Sequence, residues 1–341
     1  MTNWFALLLV GLVAPTVEPA GPPEVLQRNT ATCESENVAP DETISACRSL
    51  LRFGGFDRAD LAAIYFDLGR AYDLKGANDS AIENYSMALK FEPGFAWAYY
   101  NRGRVYYAKG DYARAVGDND SALRLRPDDA SAYNNRGISY LQEENLDHAM
   151  ADFGQAIRLS PGLAAAFYNR GFLLFRESRY DGAIADFSEA IRLAPDDATG
   201  LRARAAAWLR EGDDARAIAD LNRAIALAPG TAALFSLRGS AWFEHGDSAR
   251  AIADFDRAIE LNPNESDTFD RRGVAFHVRG DRARAIADYD RAIALAPDDA
   301  VALANRCLAL ADGGNALQSA PTACDRSLPL QPEPARAVPA P

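Results

Sequence analysis

The sequence lacks the features of most nucleic-acid-binding and metal-dependent proteins. Its formal net charge is −12, so it has no basic excess with which to contact a phosphate backbone or an anionic membrane. Its three histidines, His148, His245 and His277, stand apart from one another. No CxxC, HExxH or glycine-rich phosphate loop occurs, and no Ser/His/Asp or Cys/His set can be recognised. We therefore expect no catalytic centre, metal, cofactor or nucleic-acid partner.

Long apolar runs are also scarce. The run at residues 4–13 is too short to cross a bilayer as a helix, and it fits the apolar core of a secretory signal peptide. We predict a signal peptide over residues 1–20 and no membrane span in the mature chain. No Lys or Arg precedes the run, and Glu18 lies close to the cleavage position. A second interpretation, a short apolar tail on a cytosolic protein, therefore stays open.

Cysteine is scarce as well. The four cysteines form two pairs near the two ends of the chain, Cys33 with Cys47 and Cys307 with Cys324. Neither pair has a histidine at metal-binding spacing. In a secreted protein, this arrangement predicts two local disulfides, Cys33–Cys47 and Cys307–Cys324. Free, buried cysteines in a cytosolic protein are the alternative.

Proline, in contrast, recurs with a strict period. Seven prolines fall 34 residues apart without interruption: Pro93, Pro127, Pro161, Pro195, Pro229, Pro263 and Pro297. A fixed period of this length is typical of a repeat array. Such an array grows by stacking and needs no single central core.

Small and large residues alternate in register with the prolines, each proline being counted as position 32 of its repeat. Position 8 is small, namely Gly69, Gly103, Gly137, Gly171, Ala205, Gly239 and Gly273. Position 24 is mostly large, namely Tyr85, Asn119, Phe153, Phe187, Leu221, Phe255 and Tyr289. Positions 4, 8 and 11 share one face of a first helix, and positions 20, 24 and 27 share one face of a second. Small residues at positions 8, 20 and 27 let the two backbones approach closely.

This pattern resembles the tetratricopeptide repeat over roughly residues 62–297, and residues 99–127 resemble bacterial members especially closely. The resemblance implies an all-α fold, an α-solenoid in which antiparallel helix pairs stack into a right-handed superhelix. It also implies a non-catalytic scaffold that binds a protein or an extended peptide in a concave groove.

The remaining segments divide the chain around the repeats. We predict a linker over 21–30, degenerate capping helices over 31–61, and seven repeats over 62–299. A degenerate capping repeat follows over 300–330, and a Pro/Ala-rich, disordered tail over 331–341. The two cysteine pairs fall in the capping segments, where a stack lacks a neighbour on one side. We therefore expect each disulfide to stabilise one of the two capping segments.

Charges recur at two further positions of the repeat. Position 7 is Arg102, Arg136, Arg170, Arg204, Arg238, Arg272 and Arg306. Position 23 is Asp118, Asp152, Asp186, Asp220, Asp254 and Asp288. Because an unpaired buried charge is costly, we expect pairing, either within a repeat or from each Asp to the next Arg. We favour the second, which would pair Arg306 with Asp288; solvated charges on an outer face are the alternative.

The resemblance implies that positions 2, 5, 6, 9, 12 and 13 line the groove. In the N-terminal half these are Trp97, Tyr100, Asn101, Arg104, Tyr107, Asn134, Asn135, Tyr168, Asn169, Phe172 and Phe175. Asn side chains can hold the backbone of an extended peptide, and aromatic rings supply contact area. The C-terminal half has smaller groups, such as Ala206, Ser236, Ser240 and Val274. We therefore expect the N-terminal half to bind, unless several of these aromatic rings pack between helices and leave the groove empty.

Together these features predict a periplasmic or secreted protein-binding scaffold that is not an enzyme. An accessory subunit of an envelope enzyme or assembly complex is one alternative. A cytosolic adaptor is another, should the signal peptide be spurious. The sequence does not indicate the identity of the partner or the oligomeric state.

Overall fold

The computed structural model describes residues 24–35 and 37–311, and in this part of the chain every regular element is an α-helix. The predicted signal peptide, the predicted tail and Cys324 lie outside the described residues. The helices are α1 (Glu24–Glu34), α2 (Pro40–Phe53), α3 (Arg58–Leu74), α4 (Asn78–Phe91), α5 (Ala96–Ala108), α6 (Tyr112–Leu125), α7 (Ala130–Gln142), α8 (Leu146–Leu159), α9 (Ala164–Arg176), α10 (Tyr180–Leu193), α11 (Ala198–Glu211), α12 (Asp214–Leu227), α13 (Ala232–Glu244), α14 (Ser248–Leu261), α15 (Ser266–Val278), α16 (Arg282–Leu295) and α17 (Ala300–Ala311).

The described helices form two compact units, α1–α6 up to Leu125 and α7–α17 from Arg126 onward. Within each unit, two helices joined by a short turn pack against each other, as α3 with α4 or α13 with α14. The second helix of a pair also packs on the first helix of the next pair, as α12 on α13. The predicted all-α solenoid of helix pairs is therefore confirmed. No helix in the described ranges has the length and apolarity needed to cross a membrane.

The turn between paired helices is set by local chemistry. In the α11–α12 turn, Gly212 adopts φ 79°, a left-handed conformation that glycine adopts without strain. The carboxylate of Asp213 then accepts a hydrogen bond from the backbone N–H of Arg216 at 2.9 Å and caps α12. The guanidinium of Arg216 lies 4.6 Å from the ring centroid of Trp208 on α11. One short segment therefore ends a helix, begins the next and ties the two together.

The paired helices meet where a small residue faces a large one. A methyl group added at Gly239 on α13 would lie 2.8 Å from the ring of Phe255 on α14, closer than carbon atoms can pack. Ala205 carries such a methyl group at the equivalent position of α11, and there the facing residue on α12 is Leu221. Both residues of that pair are fully buried. The side chain at position 24 therefore determines whether position 8 must be glycine.

The guanidinium groups at position 7 pair within their own repeat, so the expected pairing to the next repeat is wrong. Nε and Nη2 of Arg204 each donate to one carboxylate oxygen of Asp220 at 2.8 Å. The same bidentate contact joins Arg102–Asp118, Arg136–Asp152, Arg170–Asp186, Arg238–Asp254 and Arg272–Asp288. The planar guanidinium matches a carboxylate that faces it across the helix pair. Because Asp288 is occupied by Arg272, Arg306 pairs instead with Asp290, at 2.5 Å.

The remaining guanidinium nitrogen connects neighbouring pairs. Nη1 of Arg204 donates to Ser188 Oγ of the preceding helix pair at 2.9 Å. Equivalent contacts join Arg102 to Ser86, Arg238 to Asn222 and Arg272 to Asp256. Each of these arginines therefore closes its own pair and also fixes it against the previous one.

At the N-terminus, the predicted linker over 21–30 is wrong where the structure describes it, because α1 begins at Glu24. Leu26 and the buried Cys33 pack on a cluster formed with α2 and α3, which explains why this segment is helical. A disulfide joins Cys33 to Cys47 on α2, the pairing predicted from the sequence. The first repeat also begins earlier than expected, since Asp57 forms a capping box that starts α3 at Arg58. Cys307 on α17 is disulfide-bonded.

We expect Gly239→Ala to lower the free energy of unfolding by about 1–3 kcal/mol, because the ring of Phe255 must move. Adding Phe255→Leu reproduces the Ala205/Leu221 pair, so the double variant should lose less than the sum of the two single changes. Urea unfolding followed by circular dichroism measures each effect. Gly154→Ala on α8, whose methyl group would lie 3.6 Å from Arg158 Nη1, is the control and should be neutral or stabilising by up to about 1 kcal/mol. Strict additivity would contradict the proposed packing.

Candidate functional site

In the N-terminal unit, the predicted binding residues lie on α5. Trp97 is exposed and its ring meets that of Tyr100 edge-on, with centroids 5.7 Å apart. The amide of Asn101 is engaged within the helix, since Nδ2 donates to Trp97 O at 2.8 Å and Oδ1 accepts from Arg104 at 3.2 Å. Tyr107 packs against Tyr112 on α6, with centroids 5.4 Å apart. This surface therefore offers aromatic area more than free amides.

In the C-terminal unit, the predicted asparagines behave differently from one another. Asn134 is buried and accepts a hydrogen bond from Asn169 Nδ2 at 2.9 Å, so these two side chains bind each other. Asn135 Nδ2 is buried and has no hydrogen-bond partner among the described residues.

The predicted aromatic residues of this unit are largely packed. Tyr168 and Phe172 are half-buried against a core cluster. Phe175, expected in the groove, is buried instead, because it packs in that cluster and against Tyr180. Part of the predicted aromatic wall is therefore core.

Position 5 forms a polar row across the first helices of this unit. Its members, one per helix from α7 to α15, are Asn134, Tyr168, Arg202, Ser236 and Asp270. Four of them contact the next first helix, in the pairs Asn134–Asn169, Tyr168–Arg202, Ser236–Thr268 and Asp270–Asn305. Neither Arg202 nor Asp270 was among the residues predicted from the sequence. The signal that marks them is a charged residue at a position where the other three members of the row are uncharged.

Asp270 is the carboxylic acid of this row, and its pKa is perturbed. Burial raises its pKa to about 6, and nearby Asp299 and Asp267 contribute in the same direction. The hydrogen bond from Asn305 Nδ2, at 3.0 Å, and the charge of Arg271 oppose the shift. Asp270 and Asn305 occupy the same two repeat positions as Asn134 and Asn169.

Three cavities lie along the first helices between α9 and α15. One, of about 210 Å³, lies between α11 and α13 and is lined by Arg202, Ala206, Ala233 and Ser236. A second adjoins it at Arg202 and extends to Thr199 at the start of α11. The third shares Thr199 with the second and continues along α9 and α10. Small side chains create this space, whereas the sequence pattern favoured the aromatic half of the chain.

Family models cover most of the repeat array. A model described as "TPR repeat" matches residues 69–110, and models described as "Tetratricopeptide repeat" match residues 100–164, 164–197, 209–266 and 271–334. The chain belongs to the tetratricopeptide repeat (TPR) family. No curated protein sequence matches it.

Solved TPR structures share the fold of this TPR chain. A tetratricopeptide repeat protein from Parabacteroides merdae has a TM-score of 0.57 at 20% identity, over 74% of this chain and 99% of its own. PilF of Pseudomonas aeruginosa has a TM-score of 0.55 at 19% identity, over 61% and 95%. The structure of the APC/C hetero-tetramer Cut9–Hcn1 gives 0.56 at 17% identity, over 89% and 60%. These identities show the fold alone.

We expect Asp270→Asn to stabilise the TPR stack at neutral pH by about 1–3 kcal/mol. Because its folded pKa of about 6 lies above the ordinary value of 3.8, protonated Asp270 contributes stability that is complete below about pH 4 and lost as the pH rises through about 6. The introduced amide would keep the bond to Asn305, as Asn134 keeps its bond to Asn169. Thermal unfolding of both proteins between acidic and neutral pH measures the difference. A difference that shrinks as the pH rises would contradict the assignment.

Proposed function

We propose that this TPR chain is a non-catalytic scaffold that binds a protein or an extended peptide on the surface of its first helices. The observation that carries the proposal is the row of three adjoining cavities from α9 to α15. Their lining combines small apolar side chains with polar and charged groups such as Arg202, Asp197 and Asp267, a mixture that suits the binding of an extended chain. Exposed Trp97 and Tyr100 give the N-terminal unit an aromatic surface of the kind that dominates binding energy.

The outer faces of the second helices are less suited to binding. On α10 the exposed Arg192 pairs with Glu189, and on α14 the exposed Arg257 pairs with Glu260. Solvated pairs of this kind contribute little to stability or affinity. An accessory subunit of an envelope enzyme or assembly complex would use the same first-helix surface against a permanent partner.

We expect Ala233→Trp to reduce capture of a partner at least about tenfold, equivalent to roughly 1.4 kcal/mol, because the new side chain fills the cavity between α11 and α13. Affinity-tagged full-length protein would be incubated with extract of the source organism, and recovered proteins quantified by mass spectrometry. Ala226→Trp on α12 is the matched control, since both alanines are exposed. Trp97→Ala with Tyr100→Ala tests the N-terminal unit separately. Equal recovery of every protein by all variants would refute the proposal.

We propose further that the protein works in the periplasm or outside the cell. The disulfide between the buried Cys33 and Cys47 supports this, because disulfides persist in oxidising compartments. The intact mass of protein purified from its native host should lack residues 1–20 and show no free thiols. Free thiols together with retention of Trp4 would support the cytosolic adaptor instead.

A further inference from the structure

We propose that Arg202 forms a subsite for the carboxylate of a single Asp or Glu in an extended partner peptide. This inference rests on the proposed function and specifies the chemistry of one part of the same surface. It follows from the polar row at position 5, from the surroundings of Arg202 and from the cavities on either side of it.

Arg202 differs from the other members of the polar row, because it has no polar partner on the next first helix in the described part of the chain. Asn134, Ser236 and Asp270 each have a polar partner on the next first helix, and Tyr168 has Arg202 itself. Among the described residues, the polar contact of Arg202 is with Tyr168 on the preceding first helix. In the direction of α13, the position equivalent to Asn169 and Asn305 is Leu237, which has no polar group. The cavity between α11 and α13 lies where a polar side chain of the next first helix would otherwise contact Arg202.

No carboxylate in the described ranges forms an ion pair with Arg202, although acids such as Asp197 and Asp267 line the cavities beside it. The side chain is half-buried, so water screens its charge only in part. By comparison, its neighbour on the same helix, Arg204, has a bidentate partner in Asp220. A half-buried guanidinium without an anion favours binding of a carboxylate, whose two oxygens match its planar geometry.

Four acids, Asp196, Asp197, Glu265 and Asp267, line these cavities together with Arg202, and the last three have partners of their own. Asp197 accepts a hydrogen bond from the backbone N–H of Thr199 at 2.8 Å. Asp267 pairs with Arg271 at 2.6 Å, and Glu265 accepts from Asn262 at 3.4 Å. Within the described ranges none of these acids forms an ion pair with Arg202, and together they would repel a peptide that carries several acidic residues. The preferred segment therefore carries one acidic residue flanked by small, uncharged residues that fit against Ala206 and Ala233.

The test is selection of a displayed library of short random peptides, flanked by fixed linkers, on the full-length protein. The fixed linkers remove any contribution from a free terminal carboxylate. We expect the aligned peptides selected on wild type to share one acidic column, that is, one position occupied by Asp or Glu between small residues. Peptides selected on Arg202→Gln should lack that column. Arg223→Gln, which removes an exposed arginine from α12, is the matched control and should retain it.

A selected peptide then gives the quantitative measurement. Replacing its acid by the corresponding amide should weaken binding to the wild type about tenfold. The same replacement should have no effect on Arg202→Gln. Arg202→Lys keeps the charge but not the planar fork, so it should bind the acidic peptide with intermediate affinity. Unchanged thermal unfolding of the variants excludes a folding defect.

The two proposals fail in different ways. If peptides bind wild type but not Ala233→Trp, the binding surface stands. The carboxylate subsite is overturned if those peptides share no acidic position, or if the acidic position persists in peptides selected on Arg202→Gln. A basic column would overturn it as well. No enrichment on wild type above Ala233→Trp would reject the binding surface, and the subsite with it.

Discussion

The structure depends on the guanidinium group at position 7 of the repeats from Arg102 to Arg272, the first repeat having Leu68 there instead. Two of its nitrogens bind the Asp of the same helix pair, and in several repeats the third binds the preceding pair. In a stack where each repeat touches only its neighbours, stability is the sum of what holds a pair together and what holds adjacent pairs. One side chain contributes to both. Its partial burial keeps the contact strong, because water screens it less than a surface ion pair.

Most of the fold could be predicted from the sequence because it is specified locally. The proline period gives the register, and the small residues at positions 8, 20 and 27 give the face along which two helices meet. The direction of the Arg–Asp pairing could not be predicted, since the spacing alone allows both registers. The choice depends on the geometry of the turn and on how the planar group meets the carboxylate. Similarly, residues 24–34 have no clear helical periodicity, and their helix depends on packing against α2 and α3.

The candidate site was harder to predict, for a different reason. Aromatic side chains can be counted in a sequence, but the space between helices cannot. Phe175 and Asn134 stand at groove positions and are nevertheless buried. Ala206 and Ser236, judged too small to bind, line a cavity instead. The importance of Arg202 arises from a residue in the next repeat, Leu237, which has no group to pair with it. Such a missing contact becomes visible only when both helices are placed in space.

The pairing of Arg with Asp inside a single repeat also affects how such an array can evolve. Since Arg204 and Asp220 belong to the same stretch of 34 residues, a duplication or deletion of that stretch adds or removes both charges together. The acceptor in the preceding pair varies among Ser188, Asn222 and Asp256, so a new neighbour need not match closely. Gene duplication can therefore change the length of the array without leaving an unpaired charge at a new junction.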